Sequence, residues 1–410
     1  MGQVLDLRLN ARVIAAGDVP SVTRETGLAA VAAVEAARLA AAADVVAVAL
    51  ERVGGREADR LARCLGDAGG AVARARAGGP DEADVLLVAG RDAFRALADR
   101  LRGESADLAA VGDAIARAIA AHGRRRFDWV LGGGRRMALG PAPALVGVVN
   151  VTPDSFSDGG RWTDPAAAAD HACRLADEGA DLVDVGGEST RPGSDPVSED
   201  DELARVMPVL ERLAGRIGVP LSIDTRRPRV AREAVAAGAA VVNDVTGLQG
   251  DPDMAAAVAE TGAAVVVMHM RGTPKTMQER PEYGNLMAEV CRHLRRGLHA
   301  ARQAGVADDR VAVDPGIGFG KTLAHNLELL ARLGQVRSLG RPILVGVSRK
   351  RFIGDLTGVQ APAARTFGTA AACALAVAAG AVLVRVHDVA EMRQAVQVAA
   401  AIAQAGESTA

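Results

Sequence analysis

The chain is poor in aromatic residues, in lysine and in clustered cysteine. Phe, Tyr and Trp make up only 2% of its 410 residues, which leaves few platforms for stacking single-stranded bases. Neither sign of charge is in excess: 48 basic residues face 50 acidic ones, for a formal charge of −2. Nucleic-acid and membrane-surface proteins usually carry a basic surplus, so both classes are disfavoured. Cys64, Cys173, Cys291 and Cys373 lie far apart with no CxxC pair, which argues against a local metal knuckle and for reduced thiols in a cytosolic protein. MGQVLDLRLN lacks the cationic start and apolar run of a signal peptide. The most apolar stretch, 28–50, is broken by Glu35, Arg38 and Asp44 and reads as a soluble helix followed by a strand, not a membrane span. A soluble, cytoplasmic protein is the expectation.

What is present is length and apolar content: 49% of the residues are hydrophobic, enough for a large core and for two domains. Composition shifts near His122. Before it, helical stretches over 28–43, 57–65, 92–102 and 107–121 alternate with short strands such as 84–89. Residues 1–122 are therefore expected to form a small α/β accessory domain. Residues 123–140 hold Arg124, Arg125 and Arg126 and then FDWVLGGGRRMALG, two apolar runs about a glycine turn. They are expected to be a linker and a β-hairpin at the base of the next domain.

From 141 onward, apolar runs recur, each ending in polar or glycine residues: LVGVVNVT, LVDVGGES, LSIDT, VVNDVTG, VVVMHM, VAVDPG, ILVGVS and LVRVHD. Near-continuous Val/Ile/Leu strands indicate a parallel sheet buried on both faces. Eight of them joined by helices predict a (β/α)8 TIM barrel over 141–405, close to the roughly 250 residues such a barrel needs. A doubly wound open sheet is the alternative. Barrel sites form at the C-terminal strand ends. Those ends carry Asn150, Glu188, Asp224, Asn243 with Asp244, His269, Asp314, Ser348 with Lys350, and Arg385 with His387, which together describe a pocket for a polar ligand. Lysine is confined to Lys275, Lys321 and Lys350, while 45 of the 48 basic residues are arginine. All three lie at or beyond strand tips, modest support for a role as compact donors, strongest for Lys350.

Several chemistries fail on spacing. GIGFGKT would be a P-loop only with glycine at Pro315. His269 and His387 have no HExxH or close partner for zinc, and no GxSxG elbow supports a Ser-His-Asp hydrolase. Two polar segments, 150–162 and 186–201, follow the first two barrel strands and are expected to act as lids over substrate.

VGVVNVTPDSFSDGG, GGESTRPGS, SIDT, NDVTG, MHMRGTPKTMQ, DPGIGFGKT, GVSRKRFIG and RVHD, in that order, resemble bacterial dihydropteroate synthase across 127–405. The resemblance implies the joining of 6-hydroxymethyl-7,8-dihydropterin diphosphate to p-aminobenzoate, giving 7,8-dihydropteroate and diphosphate for folate synthesis, by the enzyme that sulfonamides target. By the same resemblance, Asp224, Asn243, Asp314 and Lys350 form the pterin pocket. Asn150, Arg385 and His387 hold the diphosphate, with Mg2+ near Asn150; Val386 lies between two of these ligands. Lys350, Arg385 and His387 are the residues expected to carry catalysis. Asp154, Ser155 and Phe156 belong to the first lid. Thr190, Arg191 and Pro192 belong to the second, with Thr190 also touching the pterin. A homodimer is implied too.

Arg351 departs from part of the family, where some members place serine near the aminobenzoate carboxylate, and the sequence assigns it no role. Residues 1–122 resemble an extension on some longer bacterial synthases, around ADVLLVAGRDAFRALADRLR, and read as a packing or oligomerisation module. Two other readings of the barrel are a methyltetrahydrofolate-dependent methyltransferase serving a corrinoid protein and a pterin-binding regulator without activity. The first needs neither SRKR nor RVHD nor the lids. The second is unsupported, because every expected site position holds a compatible residue.

Overall fold

The computed structural model describes residues 9–14, 45–76, 81–152, 164–191 and 193–408. The helix expected over 28–43, and Asp154, Ser155, Phe156 and Pro192, lie outside the described residues. The chain divides into two compact units.

The first unit takes in Met1–Arg124 together with Met287–Arg295 and Arg332–Gly340. Its antiparallel sheet holds β1 (Arg12–Ile14), β2 (Val45–Gly54), β3 (Ala71–Arg76) and β4 (Glu82–Gly90), in the order β1-β2-β4-β3. Helices α1 (Gly55–Asp67), α2 (Arg91–Arg102) and α3 (Ala106–Gly123) accompany it. Ser105 starts α3 by accepting the Leu108 N–H, an N-cap that satisfies one of the free donors of the first turn. Residues alternate along the strands, so Val48, Leu50, Val85 and Leu87 share one core with Leu61, Phe94 and Ile115, while Ala47, Ala49, Leu86 and Val88 form a second cluster. Strand β3, AVARAR, was not anticipated from sequence, because arginine and alanine mask its alternation.

The second unit takes in Arg125–Leu286, Arg296–Ala331 and Arg341–Ala410. It opens with the expected hairpin, β5 (Phe127–Val130) paired antiparallel with β6 (Arg136–Leu139). Gly133 and Gly134 take positive φ in its turn, a conformation that suits glycine. The eight parallel strands then follow: β7 (Ala144–Asn150), β8 (Leu182–Gly186), β9 (Leu221–Asp224), β10 (Ala239–Asp244), β11 (Ala264–Met268), β12 (Val311–Asp314), β13 (Leu344–Gly346) and β14 (Leu383–Val386). Each falls on one of the apolar runs read from the sequence. Their order is β12-β11-β10-β9-β8-β7-β14-β13. The sheet closes where Val313 bridges Ile343 and its N–H donates to Pro342 O at 2.9 Å, so the open doubly wound alternative is set aside. Helices α4 (Pro165–Asp177), α5 (Glu199–Leu213), α6 (Pro228–Ala236), α7 (Met254–Thr261), α8 (Leu286–Gln303), α9 (Leu323–Ala331), α10 (Arg351–Thr357), α11 (Thr366–Ala378) and α12 (Val389–Ser408) lie between and after the strands. No described helix is long and apolar enough to cross a membrane.

The hairpin closes one end of the barrel. Trp129, Leu131 and Leu139 pack with Val146, Leu182, Val241, Val266, Ala312, Leu344 and Leu383, and the Trp129 indole N–H donates to Arg310 O at 3.1 Å. Side chains on a strand repeat every two residues. The next inward positions, two residues further along, are therefore Val148, Asp184, Asn243, Met268, Asp314, Gly346 and Arg385. Asp224 stands in register with Asn243 and Gly186. An apolar floor thus passes into a layer at the C-terminal strand ends that is polar at Asp184, Asn243, Asp314 and Arg385.

Candidate active site

Four residues of this layer, Arg385, Asp184, Asp224 and Asn243, form one connected network. From β14, Arg385 Nε donates to Asp184 Oδ2 at 2.6 Å and its Nη2 donates to Asp224 Oδ2 at 2.8 Å. From β10, Asn243 Nδ2 donates to the same Asp184 oxygen at 3.0 Å. Arg385 therefore lies among the residues assigned to the pterin pocket and bridges one of their carboxylates, Asp224, to that of Asp184. Burial pushes the Asp224 carboxyl up from 3.8 to about 7; Arg385 opposes the rise and Asp184 adds to it.

Asp314 and Lys350 form the neighbouring part of the pocket. Asp314 Oδ1 accepts the Gly316 N–H at 2.7 Å, and burial raises its carboxyl despite the nearby Lys350. Lys350 lies just past β13, where burial lowers its ammonium to about 8 against the opposing pull of Asp314. Its Nζ donates to Ile317 O and sits 4.7 Å from the centroid of the Phe319 ring. Gly316 and Gly318 both take positive φ in this loop; a Cβ on Gly316 would lie 1.9 Å from His269 O and one on Gly318 would lie 3.2 Å from Lys350 Cδ. Only glycine meets both demands. Lys321 staples the loop from below, donating to Gly316 O at 2.8 Å and Phe319 O at 3.1 Å and pairing with His269 Nδ1 at 2.9 Å.

The third element is cationic. Burial holds the His387 imidazole well below its ordinary range, and the charges of Arg349, Arg385 and Arg191 push the same way. Neutral His387 pairs through Nδ1 with Ser348 Oγ at 3.0 Å, and its backbone N–H donates to the same oxygen at 3.2 Å. Arg349 adopts φ 59°, a costly conformation for a residue with a Cβ. It is held by its N–H to Thr369 Oγ1 at 3.0 Å and by Nε to Asp388 Oδ2 at 3.0 Å. A neutral imidazole amid three guanidinium groups marks an anion-accepting corner.

Not every polar strand end reaches the pocket. Glu188 accepts from Arg226 through both oxygens at 3.0 Å and also from Arg227, so it clamps the following loop. Asp244 accepts the Thr246 N–H at 2.8 Å and the Leu248 N–H at 2.8 Å, tying its own turn. His269 and Ser348 serve as partners for Lys321 and His387. Of the three lysines, Lys275 lies on the surface paired with Asp195 at 2.7 Å, whereas Lys321 and Lys350 belong to the site. Arg351 faces solvent, its side chain 87% exposed and 3.5 Å from Asp355. Val386 is fully buried in β14. Thr190 and Arg191 are half-buried beyond β8.

Asp184 was missed in the sequence reading. It sits inside an apolar run, not at its tip, yet a carboxylate within a doubly buried strand must find a cationic or hydrogen-bonding partner.

Asn150 ends β7, half-buried, and the described residues include no group of three or more His, Cys, Asp or Glu that could cage a metal. One neutral oxygen donor suits Mg2+ carried mainly by substrate phosphates and water.

Comparison with known proteins agrees with this geometry. The family model described as pterin binding enzyme matches residues 146–387, from within β7 to the residue after β14. The chain belongs to the pterin-binding enzyme family. Among its relatives, dihydropteroate synthase of Escherichia coli (strain K12) is 46% identical over 266 residues, 65% of this chain and 94% of the relative. That of Synechocystis sp. is 42% identical over 280 residues, 68% of this chain and 93% of the relative. The structure of the Yersinia pestis dihydropteroate synthase with a sulfonamide drug complex has a TM-score of 0.64 at 44% identity, covering 67% of this chain and 98% of that one. The Xanthomonas albilineans dihydropteroate synthase with 4-aminobenzoic acid has a TM-score of 0.62 at 49% identity, covering 68% and 98%.

Proposed function

We infer that this protein is a dihydropteroate synthase, joining 6-hydroxymethyl-7,8-dihydropterin diphosphate to p-aminobenzoate to give 7,8-dihydropteroate and diphosphate in folate synthesis. The observation that carries this reading is the acid, amide and cation layer of Asp224, Asn243, Asp314, Lys350 and Arg385 at the barrel's C-terminal end, on a chain 46% identical to a dihydropteroate synthase.

In the proposed chemistry, Asp224 and Asp314 accept from the pterin's N–H groups, Asn243 both donates and accepts, and Lys350 donates to the ring's acceptor side. A pocket built from hydrogen-bonding groups rejects flat rings that lack them, because its own buried groups would go unpaired. The bond between the methylene carbon and the diphosphate oxygen breaks ahead of attack, the ring delocalises the positive charge, and the aminobenzoate nitrogen forms the new C–N bond and sheds a proton. Arg385 and neutral His387 receive the departing diphosphate, supported by the cationic surroundings of His387. We propose Asn150 as the protein ligand of Mg2+, which when bound would neutralise charge on the leaving group. Thr190, Arg191 and Pro192, with Asp154, Ser155 and Phe156, are proposed to cover the site and exclude water.

We also propose a homodimer. Phe367 is 90% and Leu375 69% exposed on α11, Val398 and Ile402 are exposed on α12, which packs against α11, and a second copy would cover them. A cytoplasmic location is proposed from four widely separated cysteines with no CxxC pair. The synthase reading is tested by chromatographic detection of dihydropteroate from the two substrates, with a sulfonamide competing against aminobenzoate; absence of product in correctly folded protein contradicts it.

A further inference from the structure

We propose that Asp184 is a positioning residue that keeps Arg385 poised for catalysis and sets the orientation of the Asn243 amide. The proposal rests on the reading of the pocket as a pterin diphosphate site.

Asp184 is 1% exposed in the middle of β8, between Val183 and Val185. A carboxylate there is costly unless paired. Its Oδ2 accepts from Arg385 Nε at 2.6 Å and from Asn243 Nδ2 at 3.0 Å, while Oδ1 is buried with no hydrogen-bond partner among the described residues. One oxygen of Asp184 thus joins β8, β14 and β10.

The Arg385 guanidinium divides its contacts. Nε meets Asp184, and Nη2 meets Asp224 at 2.8 Å. Asp224 is needed as a pterin acceptor, so an arriving pterin competes with Nη2 for it. The Asp184 contact uses another donor and can persist through that exchange. Asp184 therefore anchors Arg385 while its terminal nitrogens turn toward the leaving group. Without the anchor, Arg385 would have Asp224 as its remaining carboxylate partner and would contest the pterin's place.

The second contact acts on specificity. An amide can lie either way round, and the face it shows to a ligand depends on its neighbours. Because Asp184 accepts only, it fixes Nδ2 inward and leaves Asn243 Oδ1 for a substrate donor. Loss of the carboxylate lets the amide reverse and present the wrong group.

The test uses the full chain with Asp184→Asn, Asp184→Ala and Arg385→Lys, and a double-mutant cycle read as kcat and KM for the pterin diphosphate, with melting temperatures recorded. Asp184→Asn keeps size and one acceptor but loses the charge; about a tenfold fall in kcat/KM is expected, and less than about threefold once Arg385 is already Lys. Asp184→Ala, where it folds, is expected to lose more. Additive losses in the cycle, or an Asn variant with wild-type kcat and KM, overturn the assignment and make Asp184 part of the scaffold alone. A wild type that releases no diphosphate overturns the synthase reading, and this proposal with it; additivity in an active wild type overturns this proposal only.

Discussion

Asp224→Asn separates what the pocket costs the fold from what it gives the ligand. Burial raises the Asp224 carboxyl from 3.8 to about 7. Its folded pKa therefore lies above the unfolded one, and protonation favours the folded state. The stability tied to this group is full at pH below 3.8 and is lost as pH rises through about 7. A rise of that size corresponds to ~4 kcal/mol at most once the group is ionised in both states. Asparagine is close to the protonated isostere and keeps a carbonyl for Arg385. Urea denaturation is expected to show the variant about 1–4 kcal/mol more stable than wild type at pH 8, with the gap closing toward pH 5. Binding should move the other way. Replacing a charged acceptor by an amide in a buried site is expected to weaken pterin affinity by about 2–3 kcal/mol, or about 30–150-fold by calorimetry. A variant less stable than wild type at pH 8, or one that binds the pterin unchanged, refutes the reasoning.

Arg385→Lys removes a fork that spans Asp184 and Asp224 and substitutes a single ammonium; turnover of the diphosphate substrate should fall at least about tenfold while affinity for dihydropteroate falls less. Equal losses would make Arg385 a structural counter-ion. Lys350 is lowered to about 8, so its charged donor disappears as pH rises through that value. Pterin affinity should decline above it, and Lys350→Met should lose both the affinity and the pH limb; an unaltered limb in the Met variant would assign it to another group. Arg351→Ala should change kcat/KM less than about twofold, since its side chain is 87% exposed, and a large loss would show that it meets the substrate. Phe367→Glu should shift sedimentation toward monomer if α11 and α12 face a second copy, and unchanged sedimentation would argue against that interface.

The barrel was legible because its strands are fully buried and so read as unbroken Val-rich runs with polar ends. The strand-end positions of Asp224, Asn243, Asp314 and Arg385 were legible from the apolar runs that precede them, while their proposed role toward a pterin came from resemblance. What sequence left hidden was partnership. Nothing in the text of the chain distinguishes Asp224, which faces the pocket, from its strand-end counterparts Glu188 and Asp244, which are spent on Arg226 and on the 246–248 turn. Asp184 escaped notice because its signal lies in burial within a strand and not at a tip. Lysine scarcity flagged three residues, yet only the fold separates surface Lys275 from Lys321 beneath the site and Lys350 within it. In the first unit, β3 was invisible because alanine and arginine carry little hydrophobic contrast.

The most direct test is diphosphate release by the purified full-length protein given the dihydropterin diphosphate, Mg2+ and p-aminobenzoate, with each omitted in turn. Release that depends on all three, in step with dihydropteroate formation, is the result this account predicts. Pterin binding with no release, in protein that is folded and supplied with all three, would contradict it and point to a pterin-binding barrel of different chemistry.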